Sequence, residues 1–168
     1  GEESFRVNPT LQDAEDAGMH LEFVDRSGYR RRHDPDYLND LQYRYPNAYI
    51  IPEGGSNNLA VKGCKEILDH ARHSIGNSFD HVFVPCGTGA KMAGIVASCK
   101  KNQHVIGVSV LKNGFYLNTE IDQFLAAESV VENDSWDVLH DYHFGGYAKV
   151  TDQLEKFMER FESTNKIT

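Results

Sequence analysis

A chain of 168 residues, 40% of them hydrophobic, has enough apolar surface to bury a core, and its length suits one domain or one and a fraction. Its formal net charge of −8 excludes a nucleic acid or an anionic membrane as the main partner, because both select a basic surface. No apolar run reaches the length of a membrane span and no charged-then-apolar leader opens the chain, so a cytoplasmic protein is expected.

In chain order, Asn8 and Pro9 predict a helix start, with Leu11, Ala14 and Ala17 on one side and Gly18 closing it. Residues 19–24 read as a strand. Asp34 and Pro35 open a second helix that carries Tyr37, Leu38 and Leu41, and Pro46 ends that segment. Residues 48–51 form an uninterrupted apolar run, expected as a strand covered on both faces. After Asn57 a helix places Ala60, Cys64, Ile67, Leu68, Ala71 and Ile75 on one face, with Gly76 as its stop. A strand at 81–84, a helix at 91–101 and a strand at 105–110 follow. Helical spacing returns at Ile121, Phe124 and Leu125, and again at Leu154, Phe157, Met158 and Phe161 behind the cap candidate Thr151. Between them runs an aromatic stretch, 136–147. Strands alternating with helices, without hairpin signals, predict an α/β fold with a parallel sheet and helices on both faces.

Three cysteines, Cys64, Cys86 and Cys99, are odd in number and unpatterned, which fits neither a disulfide framework nor a zinc site. His70 and His73 share a helix at i and i+3, but no carboxylate or thiolate cluster completes a site, so no metal is expected.

Two strand-to-helix junctions are rich in glycine: Pro52, Glu53, Gly54, Gly55, Ser56, Asn57, and Pro85, Cys86, Gly87, Thr88, Gly89, Ala90, Lys91. In a parallel sheet both lie at the C-terminal edge of their strands, where open α/β folds place ligands. The second does not satisfy the dinucleotide fingerprint, since Met92 stands where the third glycine is needed and 108–111 offers no acidic residue for a ribose. It is no Walker loop either, because Ala90 and Met92 flank Lys91. What remains is a compact turn whose amides at Thr88, Gly89, Ala90 and Lys91 suit a phosphate monoester at a helix N-terminus. Taken alone, the loop leaves open a plainer reading, in which Gly87 and Gly89 only supply the positive φ of a tight turn.

The order of the motifs adds to this. IPEGGSN at 51–57, CGTGA at 86–90 and DYHFGGY at 141–147, with GEE at 1–3, NPTL at 8–11, GM at 18–19 and YRR at 29–31, resemble the pyridoxal-phosphate enzymes of the tryptophan-synthase β type. Within that superfamily the chain is most similar to the branch of 1-aminocyclopropane-1-carboxylate deaminases and D-cysteine desulfhydrases. The resemblance implies pyridoxal 5′-phosphate as cofactor, with its phosphate on Gly87, Thr88, Gly89, Ala90 and Lys91. It implies that Gly54, Gly55, Ser56 and Asn57 line the substrate side, and that Tyr147 lies near the cofactor ring to position substrate or transfer a proton.

The pattern departs from the family in three places. Lys91 replaces a threonine that usually donates to the phosphate, and Gly55 stands where strict cyclopropane-carboxylate deaminases have cysteine, which is closer to the desulfhydrases. The family's Schiff-base lysine falls upstream of Gly1 and a second active-site tyrosine falls beyond Thr168. The chain is therefore expected to be an internal piece, inactive alone, with 1–47 ending the small domain and 48–168 forming part of the large one. Its parent is expected to be a homodimer that takes a small amino acid and releases ammonia and a keto acid. A dehydratase or β-replacement synthase of the same superfamily, or a non-catalytic anion-binding module, remain the alternatives.

Overall fold

The computed structural model describes residues 8–130, 135–146 and 149–166, which form eight α-helices and three β-strands. The chain divides into two compact units, Gly1–Ile50 and Ile51–Thr168.

The first unit holds α1 (Pro9–Asp16), α2 (Arg26–Arg30) and α3 (Pro35–Arg44), and none of its described residues is fully buried. Local polar contacts organise it. Asn8 caps α1 by accepting from Leu11 N at 2.9 Å, and Pro9 occupies the first helical position, where a missing N–H costs nothing. Asp25 and Asp34 cap α2 and α3 in the same way. Gln42 Nε2 donates to the carbonyls of Tyr45, Pro46 and Ala48, and Arg44 pairs with Glu22 at 2.7 Å. Residues 19–24 and 48–51, both expected as strands, are irregular: no ladder forms along either segment among the described residues, and an extended run without a ladder is not a strand.

The second unit is a layered α/β structure. Its helices are α4 (Asn58–Cys64), α5 (Glu66–Ile75), α6 (Ala90–Ala97), α7 (Tyr116–Ala127) and α8 (Asp152–Asn165); its strands are β1 (His81–Cys86), β2 (His104–Ser109) and β3 (Trp136–Leu139). The strands are parallel in the order β1-β2-β3, with His81 opposite His104 and Val105 opposite Trp136. Two successive crossovers of the same hand put α6 and α7 on the same face of such a sheet. That face is the core: Val84 and Cys86 of β1 and Val105 and Ser109 of β2 are buried with Met92, Ala93, Ile95 and Val96 of α6 and Leu117, Ile121 and Leu125 of α7. Val61 of α4 and Leu68 of α5 complete it. The opposite face carries Phe83, Val108 and Leu139, and borders a cavity of about 770 Å³ whose far side includes Gln153 and Phe157 of α8.

Three boundaries differ from the sequence reading. The helix after Asn57 is two helices that part at Lys65, whose ammonium pairs with Glu128 beyond the end of α7. The helix expected to reach residue 101 stops at Ala97, because Gln103 folds back to accept from Lys100 N at 3.2 Å and Arg72 Nη2 donates to Ser98 O at 2.8 Å. The aromatic stretch begins with β3, whose Trp136 and Val138 pack against the core while Asp137 and Leu139 are exposed.

Candidate functional site

Both glycine loops lie in the second unit, and the structure brings them together. β1 ends at Cys86, the chain turns through Gly87, Thr88 and Gly89, and α6 begins at Ala90. Gly89 takes φ +82°, a left-handed conformation in which a side chain is strained, and no side chain caps α6. Its N-terminal amides are therefore those of a helix left open. Among the described residues the N–H groups of Thr88, Ala90 and Lys91 have no acceptor. The helix dipole adds a partial positive charge at the same spot.

The Gly89 N–H faces the other way, towards the sulfur of Cys86. That thiol is 2% exposed and 3.6 Å from Met92 Sδ, and burial pushes its pKa up to about 11 against the smaller opposing pull of the Gly89 N–H and the Lys91 charge. Cys86 is thus a neutral packing group beneath the loop. The side chain of Lys91 is exposed, so this residue offers its backbone N–H to the loop and its ammonium to solvent.

The second loop presses on the first. Residues Glu53–Gly55 form a 3-10 turn in which Gly54 has φ +65°, and a Cβ added there would stand 2.9 Å from both Oγ1 and Cγ2 of Thr88. Only glycine permits this approach. Ser56 Oγ then donates to Thr88 O at 2.8 Å, and Asn57 caps α4 by accepting from Ala60 N at 2.9 Å. A Cβ on Gly55 would meet nothing within 4 Å, so the turn opens on free space. Of the residues named from sequence, Gly54, Gly55, Ser56, Gly87, Thr88, Gly89, Ala90 and Lys91 are brought together in two abutting loops, with Gly89 and Ala90 buried and Asn57 acting as the cap of α4. Tyr147 lies outside the described residues. The turn that precedes it, closed by Gly146 N donating to His143 O at 2.9 Å and with Gly145 at φ +100° and Gly146 at φ +124°, begins four residues after the end of β3.

Sequence reasoning missed α7's share. Tyr116, at the start of that helix, donates its hydroxyl to Gly87 O at 3.0 Å, and Ile121 lies where a Gly89 Cβ would come within 3.2 Å of its Cγ1. The signal was present in position rather than in composition: a helix that follows β2 starts at the same sheet edge as the loop after β1. His140, directly after β3, also joins this edge, stacking on Phe115 at 4.5 Å and bonding Asn118 Oδ1 through Nε2 at 3.0 Å, while its Nδ1 is buried without a partner.

Open amides, a free Thr88 hydroxyl and two glycines that admit close approach suit the phosphate of pyridoxal 5′-phosphate. Among the described residues no group of three or more His, Cys, Asp or Glu is disposed to hold a metal ion, and no helix is long and apolar enough to cross a membrane.

Comparison with known proteins agrees with the motif pattern. No family model matches the chain. Proteins named "Putative 1-aminocyclopropane-1-carboxylate deaminase" are similar to it: that of Pyrococcus furiosus is 28% identical over 130 residues, covering 71% of this chain and 39% of the relative. That of Pyrococcus horikoshii is 25% identical over 131 residues, covering 74% and 40%, and that of Thermotoga maritima is 29% identical over 109 residues, covering 60% and 35%. A crystal structure described as that of "the ACC deaminase homologue" superposes with a TM-score of 0.77 at 19% identity, over 99% of this chain and 53% of its own. The chain thus spans about two-fifths of the length of these curated relatives. In its motifs and its sequence the chain is thus similar to proteins named putative 1-aminocyclopropane-1-carboxylate deaminase, and it shares the fold of a solved homologue of that name.

Proposed function

We propose that this chain supplies the phosphate anchor and part of the substrate wall of a pyridoxal-phosphate-dependent deaminase or desulfhydrase. The substrate class is a small amino acid of the 1-aminocyclopropane-1-carboxylate or D-cysteine type, converted to ammonia and a keto acid. The observation that carries this is the meeting of two glycine loops at the open N-terminus of α6, where Gly54 abuts Thr88 and three amides lack acceptors. The names of the relatives support the same reading.

When bound, the cofactor supplies an electron sink for the pair released at the substrate Cα. The chain's own part is placement. The N–H groups of Thr88, Ala90 and Lys91 and the Thr88 hydroxyl hold the phosphate dianion, which fixes the cofactor's reach from the sheet edge. Gly54 and Gly55 leave room for the substrate, and Tyr147 orients it or carries a proton. The units Gly1–Ile50 and Ile51–Thr168 correspond in this proposal to the end of a small domain and to part of a large, cofactor-binding one. The working enzyme is a cytoplasmic homodimer, and the 168 residues alone bind without turning over substrate.

Fluorescence titration with pyridoxal 5′-phosphate and with pyridoxal tests this. The phosphorylated form should bind at least ten-fold more tightly, with no ammonia released from D-cysteine or 1-aminocyclopropane-1-carboxylate. Equal binding of the two forms would remove the phosphate anchor, and ammonia release would show that the chain is catalytic by itself.

A further inference from the structure

Two hydroxyl groups from separate elements grip consecutive carbonyls of the loop. Tyr116 Oη, from the start of α7, donates to Gly87 O at 3.0 Å, and Ser56 Oγ, from the turn before α4, donates to Thr88 O at 2.8 Å. In a trans peptide the carbonyl of one residue and the N–H of the next point in opposite directions. Holding Gly87 O outward therefore holds the Thr88 N–H inward, and holding Thr88 O sets the Gly89 N–H towards Cys86, where it is found. Turned over, the Gly87–Thr88 peptide would present the Gly87 carbonyl oxygen to the anion, exchanging attraction for repulsion.

We propose that Tyr116 is a positioning residue that locks the Gly87–Thr88 peptide with its N–H towards the anion, and that Ser56, in addition to any contact with substrate, holds the next peptide and with it the shape of the loop. The inference rests on the reading of loop 87–91 as a phosphate site. It makes the phosphate affinity depend on hydroxyls that never touch the phosphate.

The test uses inorganic phosphate as the probe and amide NMR of the 168-residue chain as the readout, with Tyr116→Phe, Ser56→Ala and, as a control hydroxyl from the other unit, Tyr43→Phe. Each brace variant should bind phosphate roughly five-fold more weakly, the factor expected for one hydrogen bond, and the control should match the original chain. Lost stability alone would not alter one amide selectively, so the second readout is specific. In Tyr116→Phe the phosphate-induced shift of the Thr88 amide should shrink while those of Ala90 and Lys91 persist. In Ser56→Ala the Gly89 amide should move even without phosphate. Affinities and amide shifts equal to those of the original chain in both variants would overturn the brace alone. Loop amides of the original chain that ignore phosphate altogether would overturn the site reading, and the brace with it.

Discussion

Gly89 concentrates the demands of the site in one residue. Its φ of +82° is strained for any side chain, and a Cβ there would come within 3.2 Å of Ile121 Cγ1. Gly89→Val is expected to lose phosphate binding and to destabilise the fold by about 1–3 kcal/mol, the range for a non-glycine held in a left-handed conformation. Urea denaturation and a phosphate titration on the same variant check both halves; binding like that of the original chain would mean that the loop's shape does not matter. Cys86 offers a different measurement. Its pKa, pushed up to about 11 by burial, lies above the ordinary value of 9.0, so the folded state keeps a proton that the unfolded state releases. The neutral thiol's contribution is fully present below pH 9 and is lost as pH rises towards 11, by up to about 2 kcal/mol. Stability measured across this window should fall more steeply for the original chain than for Cys86→Ala. At neutral pH the same thiol should resist alkylation, because the reactive species is the thiolate.

Among the elements, α6 is set by close packing against α4. A Cβ on Gly94 would stand 2.5 Å from both Cys64 Cβ and Val61 O, one a side chain and the other backbone that cannot turn aside. Gly94→Ala is therefore expected to cost about 1–3 kcal/mol despite alanine's better helix propensity, and chemical denaturation would show the sign at once. Gain of stability would mean that the two helices separate freely. The same helix shows what the sequence made legible. The apolar run before a glycine turn and the proline-free stretch after it located β1, the loop and α6, because both signals are local. The end of α6 was not legible, since it depends on Arg72 and Gln103 reaching Ser98 and Lys100 from other elements. Residues 48–51 misled for a related reason: an apolar run reports burial or pairing in general, and a ladder depends on a neighbouring strand. β3 was hidden by its brevity, four residues within an aromatic stretch. The role of Tyr116 was likewise beyond reach, because nothing local distinguishes a tyrosine that grips a carbonyl 29 residues away from one that lies on a surface.

Across the second unit, the loop is assembled from parts distant in sequence: the end of β1, the start of α6, Gly54 and Ser56 from the turn before α4, and Tyr116 and Ile121 of α7. Unfolding any one of them dismantles the anion site, whereas α8 contributes no contact to it among those described. Phosphate is then a ligand of the folded state only, and by mass action it should raise the opening free energy of this subset by about 2.7 kcal/mol at a hundred times its dissociation constant. Hydrogen exchange would display that increment as a map. Amides of β1, α6 and α7 should exchange roughly a hundred-fold more slowly in saturating phosphate, while those of α8 keep their rates. Uniform slowing everywhere would indicate a general salt effect, and no slowing would deny the loop its ligand. The outline of the protected amides would thus trace the smallest part of the chain that must be folded to recognise an anion, a cooperative unit drawn by its ligand rather than by the order of its sequence.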